Sequence, residues 1–370
     1  MPDNPIFVTR PSLPPLEDFV SSLEQIWDSK FLTNGGPFHQ ELEDKLANYL
    51  GVPYVSLTSN GDAALLTVLK SMDLTGEVIT TPYSFVSTTH SILWNGLTPV
   101  FVDINPASGN IDISKIEAAI TDKTSAILAV HCYGFPCDVN AIEDIAIRHG
   151  LKVIYDAAHA FGVKCHCGKS VLNHGDASIL SFHATKVFNT LEGGAIISYS
   201  KAQKDHIDLI KNFGIAGPED IPFHGLNAKM SEVNAAFGLL QLNHIDQAIA
   251  KRKAVSDLYC SLLSDIEGVT CLNETAAGDQ HNYSYFPVII GDDYKHTRDE
   301  LFDTLKSHNI MSRKYFYPLL SNIQTYQNYP TAEVNHLPHA NNLADHVLCL
   351  PIYEDLDHMD IQRICGIIAQ

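Results

Sequence analysis

The sequence predicts an α/β fold in two parts: a mostly parallel sheet between helices, then a smaller α+β unit. Three observations carry this. From about Leu50 to Tyr199, short apolar β-rich runs alternate with helical stretches, as in parallel strands buried on both faces. A helical pattern without Pro then runs from Ser231 to about Leu263, long enough to connect two units. The remainder alternates more loosely. These place a large unit at residues 15–245 and a small one at 246–370, with 1–14 packing near the junction.

In the large unit the expected strands are Tyr54–Leu57, Val78–Thr81, Pro99–Asp103, Ser125–Val130, Lys152–Tyr155, Ser178–Ser181 and Gly194–Ser198. Helices are expected between them, including Ala63–Met72 and Val139–His149. In the small unit a strand is expected near Tyr283–Ile290, a helix near Thr297–His308 and a last helix from His358.

Composition bounds the function. Of 370 residues, 45% are hydrophobic and 18% charged, an ordinary globular balance. The formal charge is -19, from 24 Lys+Arg against 43 Asp+Glu. Such a surface repels nucleic acid and anionic membrane, while an anionic small substrate needs only a local positive pocket. No apolar run reaches the length of a membrane span. The start, Met1-Pro2-Asp3-Asn4-Pro5, lacks a basic stretch followed by an apolar core, so a cytoplasmic protein is expected. Eight cysteines are scattered, and Cys165-His166-Cys167 is their one cluster, with a spacing poor for metal. Reduced structural thiols and no metal are expected.

Three features in order suggest chemistry. Thr58-Ser59-Asn60-Gly61-Asp62-Ala63-Ala64-Leu65 lies where a strand gives way to a helix, and free N–H groups with the helix dipole make an anion site there. Asp156, in Val153-Ile154-Tyr155-Asp156-Ala157-Ala158-His159-Ala160, follows a buried strand, at the sheet edge where ligands gather. Lys186 follows the next strand, in Ser181-Phe182-His183-Ala184-Thr185-Lys186, with Glu192-Gly193-Gly194 beyond it. Taken singly, a capped Gly turn, a turn-capping Asp and a surface Lys account for the three. Together they fit one cofactor: pyridoxal phosphate needs an anion site, a carboxylate for its pyridine nitrogen and an amine for its aldehyde. Desolvation of such a Lys lowers its pKa and makes it a competent amine.

These segments resemble the DegT/StrS sugar aminotransferases, pyridoxal-phosphate enzymes of fold type I. Leu32-Thr33-Asn34-Gly35-Gly36-Pro37, Pro82-Tyr83-Ser84-Phe85-Val86-Ser87-Thr88, His131-Cys132-Tyr133-Gly134, Gly225-Leu226-Asn227-Ala228-Lys229-Met230 and Arg313-Lys314-Tyr315-Phe316-Tyr317-Pro318 are similar as well. The resemblance spans about Leu32 to Pro351. It implies that Lys186 and Asp156 are catalytic, the first holding the cofactor and the second contacting its pyridine nitrogen. Phe85 is implied to stack on the ring, His159 to sit near the ring oxygen, and Ser181 with the backbone of Gly61 and Asp62 to hold the phosphate. Asn227 is implied to reach that phosphate from a neighbouring subunit, which makes a homodimer with shared sites. His183, Lys229 and Tyr317 are candidate substrate contacts. In one departure, Asp62 stands where relatives often carry Thr, and an ionised Asp beside a phosphate is repelled.

The resemblance implies transamination of a nucleotide-linked keto sugar with L-glutamate. It is strongest to enzymes that aminate C4 of dTDP-4-keto-6-deoxy-D-glucose for O-antigen and related glycans. Alternatives are a 3-aminotransferase on a dTDP-3-keto-6-deoxyhexose, a 4-aminotransferase on a UDP- or GDP-sugar, and a non-catalytic sugar-sensing relative. Dehydratases of this fold replace the Lys by His, and position 186 is Lys. A nicotinamide oxidoreductase needs a G-x-G-x-x-G turn after an early strand, which the sequence lacks.

Overall fold

A computed structural model describes residues 4–166, 168–272 and 280–370. The chain runs α1 (Leu16–Ser29), α2 (Pro37–Leu50), β1 (Tyr54–Thr58), α3 (Gly61–Ser71), β2 (Glu77–Thr80), α4 (Val86–Trp94), β3 (Thr98–Phe101), α5 (Ile113–Ile116), β4 (Thr124–Val130), α6 (Val139–His149), β5 (Lys152–Asp156), β6 (Ala177–Ser181) and β7 (Gly194–Ser198). It continues through α7 (Lys201–Ile210), α8 (Glu232–Leu242), α9 (Ile245–Leu263), β8 (Val269–Cys271), β9 (Phe286–Ile290), α10 (Arg298–Ser307), α11 (Pro338–His346), β10 (Val347–Leu350) and α12 (His358–Ala369).

The first seven strands form one sheet in the order β1-β7-β6-β5-β4-β2-β3. Only β7 runs antiparallel to its neighbours. Alternation along β5 shows why both faces are covered. Val153 and Tyr155 join Ile142, Ile145 and Ala146 of α6 on one face. Ile154 joins Leu65, Val68 and Leu69 of α3 on the other. The register then sets the site: Val130 pairs with Asp156, Asp156 with Ile179, and Ser181 and Thr58 both face Gly194. The carboxyl ends of β1, β5 and β6 therefore open on one edge, as ligand-binding α/β sheets do.

The second sheet is antiparallel, in the order β10-β9-β8, and packs with α9, α10 and α12. The N-terminal segment bridges to it: Ile6 pairs with Ile310, and Ile352 N–H donates to the Val8 carbonyl. The Ser12 carbonyl in turn accepts from Asn189, on the first sheet's side.

Two sequence expectations are corrected. The helix expected from Ser231 to Leu263 is two helices, broken at Asn243–His244. There the N–H groups of Asn243 and His244 turn to Leu240 and Gln241, three residues back. The turn serves two cores, because Ala235, Leu239 and Ile245 pack under the first sheet while Val255, Tyr259 and Leu263 pack under the second. Asn, a poor helix-interior residue, sits at the break. Of the cysteines, Cys132, Cys137, Cys260, Cys271, Cys349 and Cys365 are free thiols, but Cys165 is disulfide-bonded. Around it the backbone turns tightly, with Cys165 N–H on the Lys169 carbonyl and Gly168 N–H on the Cys165 carbonyl. Cys167 lies outside the described residues.

Candidate active site

A cavity of about 320 Å³ opens at the sheet edge. Its lining includes Gly61, Asp62, Phe85, Asp156, His159, Ser181, His183 and Lys186, all named from the sequence. Asn227, Lys229 and Tyr317 do not line it.

The floor is an anion cup. Asn60 caps α3, its side-chain oxygen taking the Ala63 N–H and its carbonyl the Ala64 N–H. The N–H groups of Gly61 and Asp62, first in the helix, have no intrahelical acceptor and lie at the positive end of the dipole. Glycines let the walls close. A Cβ on Gly61 would stand 2.9 Å from Ser181 Cβ, and one on Gly194 would stand 2.6 Å from the Asn60 carbonyl carbon. The Glu192-Gly193-Gly194 motif thus seats β7 directly against the cup. The Asp62 side chain is exposed at the rim.

Asp156 ends β5 and is 5% exposed. Its Oδ2 accepts from Thr88 Oγ1 at 2.7 Å and its Oδ1 from the Ala158 N–H at 3.2 Å. Thr88 spends its one proton on Asp156, so the Ser84 hydroxyl, 2.7 Å away, donates to Thr88. Burial raises the Asp156 pKa; the Thr88 and Ala158 hydrogen bonds and the Lys186 charge pull it back.

Lys186 follows β6 through a turn closed by its own N–H on the His183 carbonyl. Burial lowers its amine to about 8, against the opposing pull of Asp156. Its Nζ lies 3.4 Å from Tyr285 Oη. His159, 4% exposed, accepts the Tyr133 N–H at Nδ1 and places Nε2 3.4 Å from the same Oη. Burial, then the Lys186 charge, push its pKa well below the usual range, so the ring is neutral. Phe85, the residue before α4, shows 58% of its surface. His183 is exposed, its Nδ1 2.8 Å from Thr185 Oγ1 and its Nε2 3.5 Å from Glu192.

Sequence reasoning missed Thr88, Ser84, Tyr285, Tyr315 and Phe316. Phe316 stacks on His159 with centroids 5.8 Å apart, and the Tyr315 carbonyl accepts from the buried Tyr83 and Tyr133 hydroxyls. For Thr88 a signal existed: it lies three residues after Phe85, one helical turn on. Tyr285, Tyr315 and Phe316 come from the second half of the chain, and their approach depends on tertiary packing.

The model of the DegT/DnrJ/EryC1/StrS aminotransferase family matches residues 16–369. The chain belongs to this family. It is 53% identical to a dTDP-4-amino-4,6-dideoxy-D-glucose transaminase of Escherichia coli over 368 residues, 100% of this chain and 99% of that one. It is 31% identical to the GDP-perosamine synthase of Caulobacter vibrioides, over 93% of this chain and 92% of that one. Among solved structures, DesI in the presence of its TDP-sugar product superposes with a TM-score of 0.93 at 35% identity, covering 99% of this chain and 93% of that one. PseC of Helicobacter pylori, an aminotransferase involved in pseudaminic acid biosynthesis, gives 0.91 at 26%, covering 99% and 98%.

The chain is therefore a pyridoxal-phosphate-dependent aminotransferase, and its cavity fits that cofactor. The cup has N–H donors and a wall that a Cβ would fill. Asp156 is a buried carboxylate whose two oxygens each take one hydrogen bond, leaving lone pairs for a ring N–H. Lys186 is an amine whose burial lowers its pKa, facing the same space. Among the described residues no group of three or more His, Cys, Asp or Glu is gathered to hold a metal, and no helix is long and apolar enough to cross a membrane.

Proposed function

We propose that the chain transfers the amino group of L-glutamate to C4 of dTDP-4-keto-6-deoxy-D-glucose, giving dTDP-4-amino-4,6-dideoxy-D-glucose. The observation that carries this is the 53% identity to a transaminase of that product across the whole chain, with Lys186 and Asp156 facing one cavity. When bound, the cofactor supplies an aldehyde to carry the amino group and a ring to take up electrons. Lys186 holds it and, once released, moves a proton between the two reacting carbons. Asp156 keeps the ring nitrogen protonated through a charge-assisted hydrogen bond. Gly61 and Asp62 N–H and Ser181 hold the phosphate, Phe85 stacks on the ring, and His159 faces the ring oxygen. His183 contacts substrate from the same chain. The Asp62 side chain stays at the rim, its backbone alone serving the cup.

The working form is a homodimer with shared sites, in the cytoplasm, built from a large unit at 15–245 and a small one at 246–370. Two observations support a second subunit. Among the described residues lining the cavity, Lys186 is the one Lys or Arg, whereas a nucleotide diphosphate requires more positive charge. The loop carrying Asn227 and Lys229 also exposes Phe213, Ile215, Ile221 and Phe223, an apolar surface suited to a partner. From it, Asn227 reaches the partner's phosphate; Lys229, on the same loop, and Tyr317, elsewhere in the chain, are the further candidate substrate contacts. The product feeds O-antigen or related glycan synthesis.

The test is a panel of dTDP-, UDP- and GDP-linked 4-keto and 3-keto sugars with glutamate, read by 2-oxoglutarate release and product NMR. Turnover confined to the dTDP-4-keto sugar is expected. Preference for a GDP-sugar would replace this reading with the second one, which the perosamine synthase relatives favour.

A further inference from the structure

Tyr285 reaches the site from just ahead of β9, the central strand of the second sheet. Its segment is fastened to the turn after Asp156. Asn282 Nδ2 donates to the carbonyls of His159 and Phe161, and Ser284 Oγ donates to the His159 carbonyl. Arg252 of α9 holds the same segment through the Tyr283 carbonyl. The phenol is thus held against His159, ring centroids 4.7 Å apart.

The hydrogen-bond roles follow. His159 accepts the Tyr133 N–H at Nδ1, so a neutral ring carries its proton on Nε2. That N–H points to Tyr285 Oη, 3.4 Å away, and Lys186 Nζ lies 3.4 Å from the same oxygen. We propose that Tyr285 is a positioning residue: its hydroxyl, backed by His159, holds the Lys186 amine in the cavity and sets the pH at which that amine takes its proton. This rests on the reading of Lys186 as the cofactor lysine.

One hydroxyl suffices for both states of the amine. The ammonium donates to Oη; the free amine accepts the Oη proton while His159 continues to donate to Oη. Burial pushes the Tyr285 pKa up, so the phenol stays protonated and the row His159–Tyr285–Lys186 gains or loses charge only at Lys186. The other ionisable groups facing the row are Asp156, Tyr133, Tyr315, Cys132, Cys349 and Arg252. Of these Asp156 alone is a carboxylate, and it opposes the burial of the ammonium.

Tyr285→Phe removes Oη and keeps the ring against Tyr133, His159 and Tyr315. In cofactor-free protein, Lys186 is pulse-acetylated across a pH series and its peptide quantified by mass spectrometry. The wild-type midpoint is expected at about 8. In Tyr285→Phe the ammonium loses a charge-assisted bond and the free amine only a weaker neutral one, so the midpoint falls by roughly half to one pH unit. In loaded enzyme the amino-sugar half-reaction slows at least ~5-fold while the substrate KM stays within about twofold. Superimposable labelling profiles would overturn the proposal. Should the Phe variant melt early, 3-fluorotyrosine at position 285 keeps the ring with a poorer acceptor oxygen, and an unmoved midpoint there overturns it equally. Borohydride trapping on wild-type enzyme separates the two readings. Trapping at Lys186 without a midpoint shift sinks only the role of Tyr285, whereas trapping on another peptide sinks the reading of Lys186 itself.

Discussion

Replacing Thr88 by Val tests how Asp156, the carboxylate proposed to be catalytic, is held. The hydroxyl of Thr88, fully buried, donates to Asp156 Oδ2 at 2.7 Å, and among the described residues the one other donor to this carboxylate is the Ala158 N–H at 3.2 Å. Val keeps the β-branched shape and removes the shorter bond. A hydrogen bond to a charged, buried group contributes about 1.5–3 kcal/mol, which in a transition state corresponds to roughly 10–100-fold in rate. Two consequences follow. Thr88 pulls the Asp156 pKa down against burial, so without it that pKa rises further and the acid limb of the rate profile moves to higher pH. The half-reaction with amino sugar also slows by roughly 10–100-fold at neutral pH. Thr88→Ser retains the hydroxyl and should restore most of the rate. Stopped-flow absorbance across a pH series, with melting curves on both variants, reads all of this. Near-wild-type rates and an unmoved acid limb in well-folded Thr88→Val would refute the argument.

Lys186→Ala should abolish turnover with the fold intact, and borohydride should then fix no pyridoxyl group on the peptide spanning position 186. Asp156→Asn keeps the shape without the charge and should still bind cofactor, with proton transfer slowed by at least ~2 orders of magnitude. Mixing inactive Lys186→Ala chains with inactive Asn227→Asp chains should recover partial activity, because in the proposed shared-site dimer some mixed pairs hold one intact site; no recovery after confirmed subunit exchange counts against sharing. Glu43 concerns stability. Burial alone would raise its pKa, but the His39 hydrogen bond and the Lys211 and Lys204 charges outweigh that and hold it far below the usual carboxylate range. Its contribution is therefore present above the unfolded carboxylate pKa and lost as pH falls through and below that range. Glu43→Gln should lower urea-unfolding stability by about 3 kcal/mol near pH 7, and the gap to wild type should shrink as pH falls below about 4.

What the sequence made legible depends on how local each cause is. The strands from Tyr54 to Ser198 were readable because each is a short apolar run buried on both faces, and their ends lie within a residue or two of the expected ones. Gly61, Asp156 and Lys186 were readable for the same reason: each closes or follows such a run, and parallel connection brings all three to one edge. The break at Asn243–His244 was not, since the local pattern stays helical on both sides. The need to turn arises from two separate cores, which only the folded chain defines. The disulfide at Cys165 was likewise not legible, since cysteine spacing alone does not say which thiols the folded chain brings together.

Tyr285 marks the boundary most clearly. In Asn282-Tyr283-Ser284-Tyr285 the two tyrosines are indistinguishable by type and flank the same serine. Their fates separate through backbone contacts from distant elements. Asn282 and Ser284 clasp the His159 carbonyl, and Tyr285, just ahead of β9, lines the cavity. Tyr283 adopts a left-handed backbone at φ 53° and meets Lys253 on α9 instead. The same clasp ties the second sheet to the turn that carries His159. A substitution at Asn282 should therefore loosen the Tyr285 hydroxyl without touching Lys186. Asn282→Ala is expected to lower the Lys186 labelling midpoint in the same direction as Tyr285→Phe, by less, because the phenol is displaced and not removed. A larger shift than in Tyr285→Phe, in protein with an unchanged melting curve, would show that the segment acts on Lys186 by a route other than that oxygen.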